Sequence, residues 1–298
     1  MWVEDSITGE VFPLSTEDAN DYNRYWTVKT HYSSIDELFK GFKSGNLVGI
    51  GGKHAIGKSA LAVNLAFNMA QHGTKVCLFS FEMTSEEVVA RLLARMTEIE
   101  ISELQSQIMK RDQTEAVEDA LDLLDTMPLE IHDSPSMTVD AIREVARKSL
   151  CGCDEGILII DCLQLIQPSR DCYESVDERL DSIAVSLKRL AMHLRVPVIV
   201  TTQLDQTYSL DDAYPLSHYA DIVMFLDYAK SNEGPSGFGL PRDIYIAKFR
   251  QGPAGDTLRF AFMPELMLFK RFTHSLPSLP KETVQQMPPP WVRPQDSE

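Results

Sequence analysis

The chain has 298 residues and sets 28 Lys and Arg against 44 Asp and Glu, a formal charge of −16 at neutral pH. Hydrophobic residues at 44% and charged residues at 24% are ordinary for a globular chain, which excludes a collagenous, coiled-coil or wholly disordered protein. The length suits one or two domains around a large core, and the acidic balance excludes coating DNA through general surface charge while leaving room for a local basic channel.

Residues 1–30 are polar, spotted with aromatics and without a clear period; they read as an arm leading into the folded part. Leu47-Val48-Gly49-Ile50 is a short apolar run ending in glycines, hence a buried strand. Helical spacing of apolar residues follows over 60–70, then a second strand over 75–81. Thr84 with Glu87 has the spacing of a capping box and opens a helix to about Met96. A helix over 112–124, a short strand over 129–131 and a helix over 139–150 come next. Residues 156–161 form a buried strand ending in an acid, 177–194 a strongly amphipathic helix, and 197–203 another buried strand. Apolar strands alternating with helices predict an α/β fold, a mainly parallel sheet covered on both faces. Strands over 222–226, 243–249 and 257–262, with short connections, extend one edge of it. Six prolines from Pro277 to Pro294 mark residues 273–298 as a disordered tail.

The five cysteines, Cys77, Cys151, Cys153, Cys162 and Cys172, are odd in number and scattered, so no disulfide framework is implied. Cys151 and Cys153 lack a second Cys or His pair nearby and read as loop thiols rather than half of a metal site. The N-terminus has no basic start before an apolar run, no stretch reaches the ~18 apolar residues a membrane span needs, and a reducing cytoplasm is the expected compartment.

The strongest chemical signal is Gly52-Lys53-His54-Ala55-Ile56-Gly57-Lys58-Ser59, a G-x-x-x-x-G-K-S loop between a strand and a helix. Its glycines let backbone N–H groups turn inward around phosphates, and the helix start adds a positive dipole end. Lys58 would reach the β- and γ-phosphates, and Ser59 would ligate Mg²⁺. Asp161 ends a buried strand where the Mg²⁺-organising acid of such a site belongs. Glu82 follows the second strand at the edge where open α/β sheets bind ligands, and can polarise an attacking water; the bland alternative is a helix-entry acid. Gln203 ends its strand at the same edge, as a γ-phosphate sensor or simply a polar strand end. Lys248 and Arg250, two apart on one strand face, suit an arginine finger with a companion lysine, or else a solvated edge strand.

Together these residues resemble the C-terminal ATPase domain of DnaB-type replicative helicases, members of the RecA-like superfamily. The resemblance rests on Ser34-Ile35-Asp36-Glu37-Leu38, the phosphate loop, FSFEM (79–83), ILIIDCLQLI (157–166), VPVIVTTQL (196–204), YADIVMFL (219–226) and AKFRQGP (247–253), in family order. It implies a RecA-like P-loop NTPase domain over 31–272 and a homo-hexameric ring binding ATP and Mg²⁺ between subunits. It further implies ATP hydrolysis coupled to translocation on single-stranded DNA in replication. Lys58 and Ser59 match the phosphate and Mg²⁺ residues, Glu82 the catalytic glutamate, Asp161 the second Mg²⁺-organising acid and Gln203 the γ-phosphate sensor. Arg250 matches the finger supplied by a neighbouring subunit, with Lys248 beside it. Three departures stand out. The family's N-terminal helical domain, which docks primase, is expected to be absent. Asp205-Gln206 stands where Asn-Arg usually follows the sensor glutamine. The loop expected to line the channel, residues 209–215, carries Asp211 and Asp212 where phosphate contacts are expected. A helicase-like regulator that binds ATP but grips DNA weakly, and a RecA-type recombination ATPase, remain as alternatives.

Overall fold

Strands that are apolar on both faces must be covered on both faces, and the fold follows from that demand. The computed structural model describes residues 2–4, 11–13, 26–106, 109–151, 153, 155–168, 173, 175–204, 213, 215–229 and 239–271. In chain order the elements are β1 (Trp2–Glu4), β2 (Val11–Pro13), β3 (Thr27–Val28), α1 (Ser33–Phe39), β4 (Phe42–Lys43), β5 (Leu47–Gly52) and α2 (Lys58–Gln71). Next come β6 (Lys75–Ser80), α3 (Ser85–Thr97), α4 (Ile101–Ser106), α5 (Arg111–Thr126), β7 (Leu129–Asp133), α6 (Val139–Ser149) and β8 (Gly156–Asp161). The chain continues through α7 (Val176–Leu194), β9 (Val198–Gln203), α8 (Leu216–Tyr219), β10 (Ile222–Tyr228), β11 (Leu240–Phe249), β12 (Thr257–Met263) and β13 (Leu268–Arg271).

A nine-stranded sheet has the order β13-β12-β11-β10-β5-β9-β8-β6-β7. From β10 to β7 every pairing is parallel, while β11, β12 and β13 continue the sheet antiparallel. The expected parallel sheet with a hairpin-built extension is therefore present. Alternation along each strand splits the core. Ile157 and Ile159 of β8 pack with α2 and α3, and Leu158 and Ile160 pack with α6 and α7 on the other face. Helix α2 is buried at every position from Ala60 to Ala70, because the sheet lies under it and α3 and β13 lie against it.

Strand β13 escaped the sequence reading, since Leu268-Phe269 is too short an apolar run to register. What holds it is tertiary. The buried Asn64 of α2 donates to Met267 O at 2.7 Å, and its Oδ1 accepts from Phe269 N at 3.2 Å. The helices α1 and α4 were also missed, being only one to two turns long. The capping box was read correctly: Glu87 N donates to Thr84 Oγ1 at 3.3 Å, and Thr84 N to Glu87 Oε2 at 2.9 Å. The tail from residue 273, and all of the arm before Trp26 apart from β1 and β2, lie outside the described residues.

Candidate active site

Parallel register brings distant residues to one edge. Gly52 of β5 pairs with Gln203 of β9, and Ser80 of β6 pairs with Asp161 of β8. In the order β5-β9-β8-β6, the strands therefore deliver the phosphate loop, Gln203, Asp161 and Glu82 side by side at their C-terminal ends. That is the edge at which open α/β sheets bind ligands.

The loop is built for backbone approach. A Cβ on Gly52 would sit 2.8 Å from Leu226 O, so nothing larger than glycine fits against β10. Gly57 has φ of 112°, a left-handed conformation that turns the chain into α2. Lys53, His54 and Ala55 are exposed while Ile56 is fully buried, anchoring the loop from below. No acid lies in the first turn of α2, leaving its positive end available to an anion. Lys58 Nζ donates to Lys53 O at 2.8 Å, bridging the loop's two ends. Burial lowers the Lys58 pKa, and the carboxylates of Asp161 and Glu82 oppose that shift.

Asp161 is 2% exposed. Its Oδ1 accepts from the Thr201 hydroxyl, and the Thr201 and Ser59 hydroxyls nearby pull its pKa down against burial. Its Oδ2 is buried with no hydrogen-bond partner. Burial, chiefly, raises its pKa, with the nearby Glu82 charge adding to the rise. A buried carboxylate oxygen left unpaired is costly, and its place beside Ser59 and Lys58 suits a hard cation carrying phosphate oxygens. The site thus fits Mg²⁺ with a nucleotide. No group of three or more His, Cys, Asp or Glu side chains among the described residues could hold a metal alone. Such a cation would take most of its shell from phosphates and water, as Mg²⁺ does.

Glu82 is exposed at the tip of a tight turn. The Ser80 hydroxyl closes that turn, donating to Met83 O at 2.7 Å and accepting from Met83 N at 3.3 Å. Gln203 is likewise exposed, at the end of a strand otherwise buried.

Lys248 and Arg250 are elsewhere. Lys248 lies opposite Val223, which pairs with Gly49, whereas the phosphate-loop edge corresponds to Gly52, Leu226 and Ile244. At ~3.3 Å per residue, the step from Gly52 back to Gly49 puts Lys248 ~10 Å behind that edge. Strand β11 ends at Phe249, so Arg250 opens the following turn. The solvated-edge alternative fails, because β11 is an interior strand between β10 and β12. Lys248 Nζ donates to Ser217 O at 2.8 Å and His218 O at 3.2 Å; burial, then Arg250, lowers its pKa. Arg250 is half-exposed with Nη1 3.4 Å from Asp221 Oδ1. Lys188 Nζ meets the same buried Asp221 at 2.6 Å.

Several residues at the site were missed in the sequence. Thr201 breaks the apolar run of β9, which was the available signal. Cys162 and Gln164 lie in the turn just after Asp161. Arg91 of α3 shares a helical stripe with Arg95, which bonds Asn64 and Asn68 of α2. One turn nearer the phosphate-loop edge, Arg91 has its pKa lowered by burial, against the pull of Asp161, Glu87 and Glu82. Of the expected channel loop, residues 209–212 and Tyr214 lie outside the described residues, as do Asp205 and Gln206.

A nine-stranded, mainly parallel sheet with a phosphate loop after the central strand β5, Gln203 ending its neighbour β9, and acids at the ends of β8 and β6 beyond it defines a RecA-like P-loop fold. The chain belongs to the family described as the DnaB-like helicase C-terminal domain, whose model matches residues 27–271. It is 30% identical over 258 residues to the replicative DNA helicase DnaB of Geobacillus stearothermophilus, covering 81% of this chain and 56% of that one. The chain thus spans little more than half the length of that relative. Among solved structures it is similar to one described as an ATPase domain, with a TM-score of 0.78 and 25% identity, covering 87% of this chain and 98% of that one. It is also similar to a DnaB-like replicative helicase solved in a study of its interactions with primase, with a TM-score of 0.75 and 26% identity, covering 89% of this chain and 68% of that one. No helix among the described residues is long and apolar enough to cross a membrane.

Proposed function

We propose that the chain is an ATP-dependent DNA helicase subunit of the DnaB-like family, working as a homo-hexameric ring in the cytoplasm. In this reading residues 31–272 are the ATPase domain, 1–30 an arm and 273–298 a tail. The observation that carries the reading is the convergence of the phosphate loop, Glu82, Asp161 and Gln203 on one sheet edge. Residues 52–59 cradle the phosphates through backbone N–H groups, and Lys58 places its ammonium against the β- and γ-phosphates. Mg²⁺, when bound, would neutralise phosphate charge. Ser59 and Asp161 hold that ion's place. Glu82 accepts a proton from the attacking water, and Gln203 reads the γ-phosphate. Lys248 and Arg250 are too far back along the sheet to serve their own loop, which suits action on a neighbouring subunit's nucleotide.

Steady-state hydrolysis of Mg·ATP with and without single-stranded DNA tests the reading. Turnover that rises with DNA and vanishes in Lys58→Ala supports it; no turnover in either condition overturns it. A second reading, an ATP-binding regulator with a weak DNA grip, is favoured by Asp211 and Asp212 in the expected channel loop. Turnover indifferent to DNA would select it.

A further inference from the structure

The turn that follows Asp161 touches both proposed hydrolytic residues. Cys162 is 5% exposed, and its thiol donates to Glu82 Oε1 at 3.2 Å. Gln164 Nε2 donates to Thr202 Oγ1 at 2.9 Å and to Gln203 O at 3.2 Å, while its Oε1 accepts from Gln203 N at 3.3 Å. The short helical turn over Leu163–Leu165 places these two side chains on opposite flanks of β8. One reaches the turn after β6 and the other reaches β9; β6 and β9 are the two strands that neighbour β8 in the sheet.

We propose that Cys162 and Gln164 form a positioning bracket: the thiol fixes the Glu82 carboxylate and the amide clamps the end of β9, so that Glu82 and Gln203 face the same γ-phosphate. The physical case is conformational. Glu82 is exposed on a turn, and an untethered glutamate there samples several rotamers. The buried thiol holds Oε1, which leaves Oε2 to meet a water. Gln203 is the last residue of β9; Gly52 of β5 pairs with it on one side, but on the other side the ladder with β8 ends at Val200. The Gln164 amide imitates a neighbouring strand, giving Gln203 both a donor and an acceptor, so the backbone carrying the sensor side chain is held as if the sheet continued. Neither residue touches the nucleotide in this scheme; both act through others. The inference rests on the reading of Glu82 and Gln203 as the hydrolytic pair.

The test uses the full chain with Mg·ATP and measures kcat, KM and thermal midpoint. Cys162→Ala and the bulkier Cys162→Val both lack the donor, Cys162→Ser keeps one, and Gln164→Ala removes the clamp. The two donor-free variants and Gln164→Ala are expected to lower kcat roughly tenfold, within the ~10²-fold that an ångström of misplacement can cost. Their KM for ATP should stay within about twofold, because the phosphate loop is untouched. Cys162→Ser should recover most of the lost kcat; a residue that merely fills space would show no such rescue. If kcat in all three donor-free or clamp-free variants stays near wild type while Glu82→Gln is inactive, the bracket is overturned and the hydrolytic assignment stands. A Cys162→Ser as impaired as Cys162→Ala also overturns it. Wild-type turnover in Glu82→Gln instead removes the assignment on which the bracket depends.

Discussion

In the proposed mechanism Lys58 and Glu82 carry different parts of the same step, and single substitutions separate them. Lys58 supplies a point charge to phosphates and is only half-buried, so Lys58→Ala should abolish hydrolysis while far-UV circular dichroism and thermal midpoint stay unchanged. Glu82 does not hold phosphate, so Glu82→Gln should bind ATP with near-native affinity and hydrolyse it at least ~10²-fold more slowly, the scale of general-base catalysis. Nucleotide titration and steady-state turnover check both, and hydrolysis at the native rate in Glu82→Gln would reassign the base. The proposed roles of Lys58, Ser59, Glu82, Asp161 and Gln203 were legible because each sits in a motif beside a buried strand. Arg91 was not legible: an arginine inside an amphipathic helix looks like any solvated cation. Only the packing of α3 on α2 turns it toward the acids.

At the scale of elements, caps and glycines set where the side chains stand. The capping box of Thr84 and Glu87 starts α3, with its N-cap two residues beyond Glu82. Thr84→Ala should destabilise the chain by about 1 kcal/mol, seen as a fall of ~2–4 °C in thermal midpoint for a domain of this size. Gly52 is constrained by its neighbour rather than by its own dihedral. A Cβ there meets Leu226 O at 2.8 Å and Ile56 Cγ2 at 2.9 Å, so Gly52→Ala must displace either β10 or the loop. Weakened nucleotide binding, by titration with a fluorescent analogue, is the expected result; unchanged affinity would show that the loop absorbs the methyl group. The box was readable from two residues at the right spacing. That the Gly52 backbone is pressed against β10 was not, since Leu226 lies 174 residues away in sequence yet directly opposite in register.

The whole molecule decides how the cations at Lys248 and Arg250 act. They lie at the far end of β11 from their own phosphate loop, with Arg250 beside Asp221. Arg250→Ala should therefore lose turnover while keeping nucleotide affinity, since fingers supplied in trans are worth ~10³–10⁵ in rate. Mixing Arg250→Ala with Lys58→Ala subunits should restore part of the activity, because one interface then joins an intact loop to an intact finger. Absence of rescue, where subunits exchange, would speak against action across an interface. DNA affinity is also a whole-molecule property. With −16 net charge and Asp211 and Asp212 in the expected channel loop, single-strand binding should be weak at ~0.15 M salt and improve in the double Asn variant. Tight wild-type binding unchanged by those substitutions would point to other gripping residues.

By itself the sequence determined the alternation of elements, the phosphate loop, its family and the residues at the ends of the buried strands. It could do so because apolar runs with a period of two or 3.6 and a glycine-lysine-serine loop are local patterns. The strand order, with β9 and β8 between β5 and β6, belongs to the tertiary structure, since local pattern does not say which parallel strands are neighbours. The same is true of β13, which pairs with β12 and is held at its start by Asn64. It is true again of Cys162 and Gln164, whose partners lie 80 and 39 residues away. Side chains that act by holding others have no signature of their own in a sequence; they are recognised only when the sheet has brought the held groups to them.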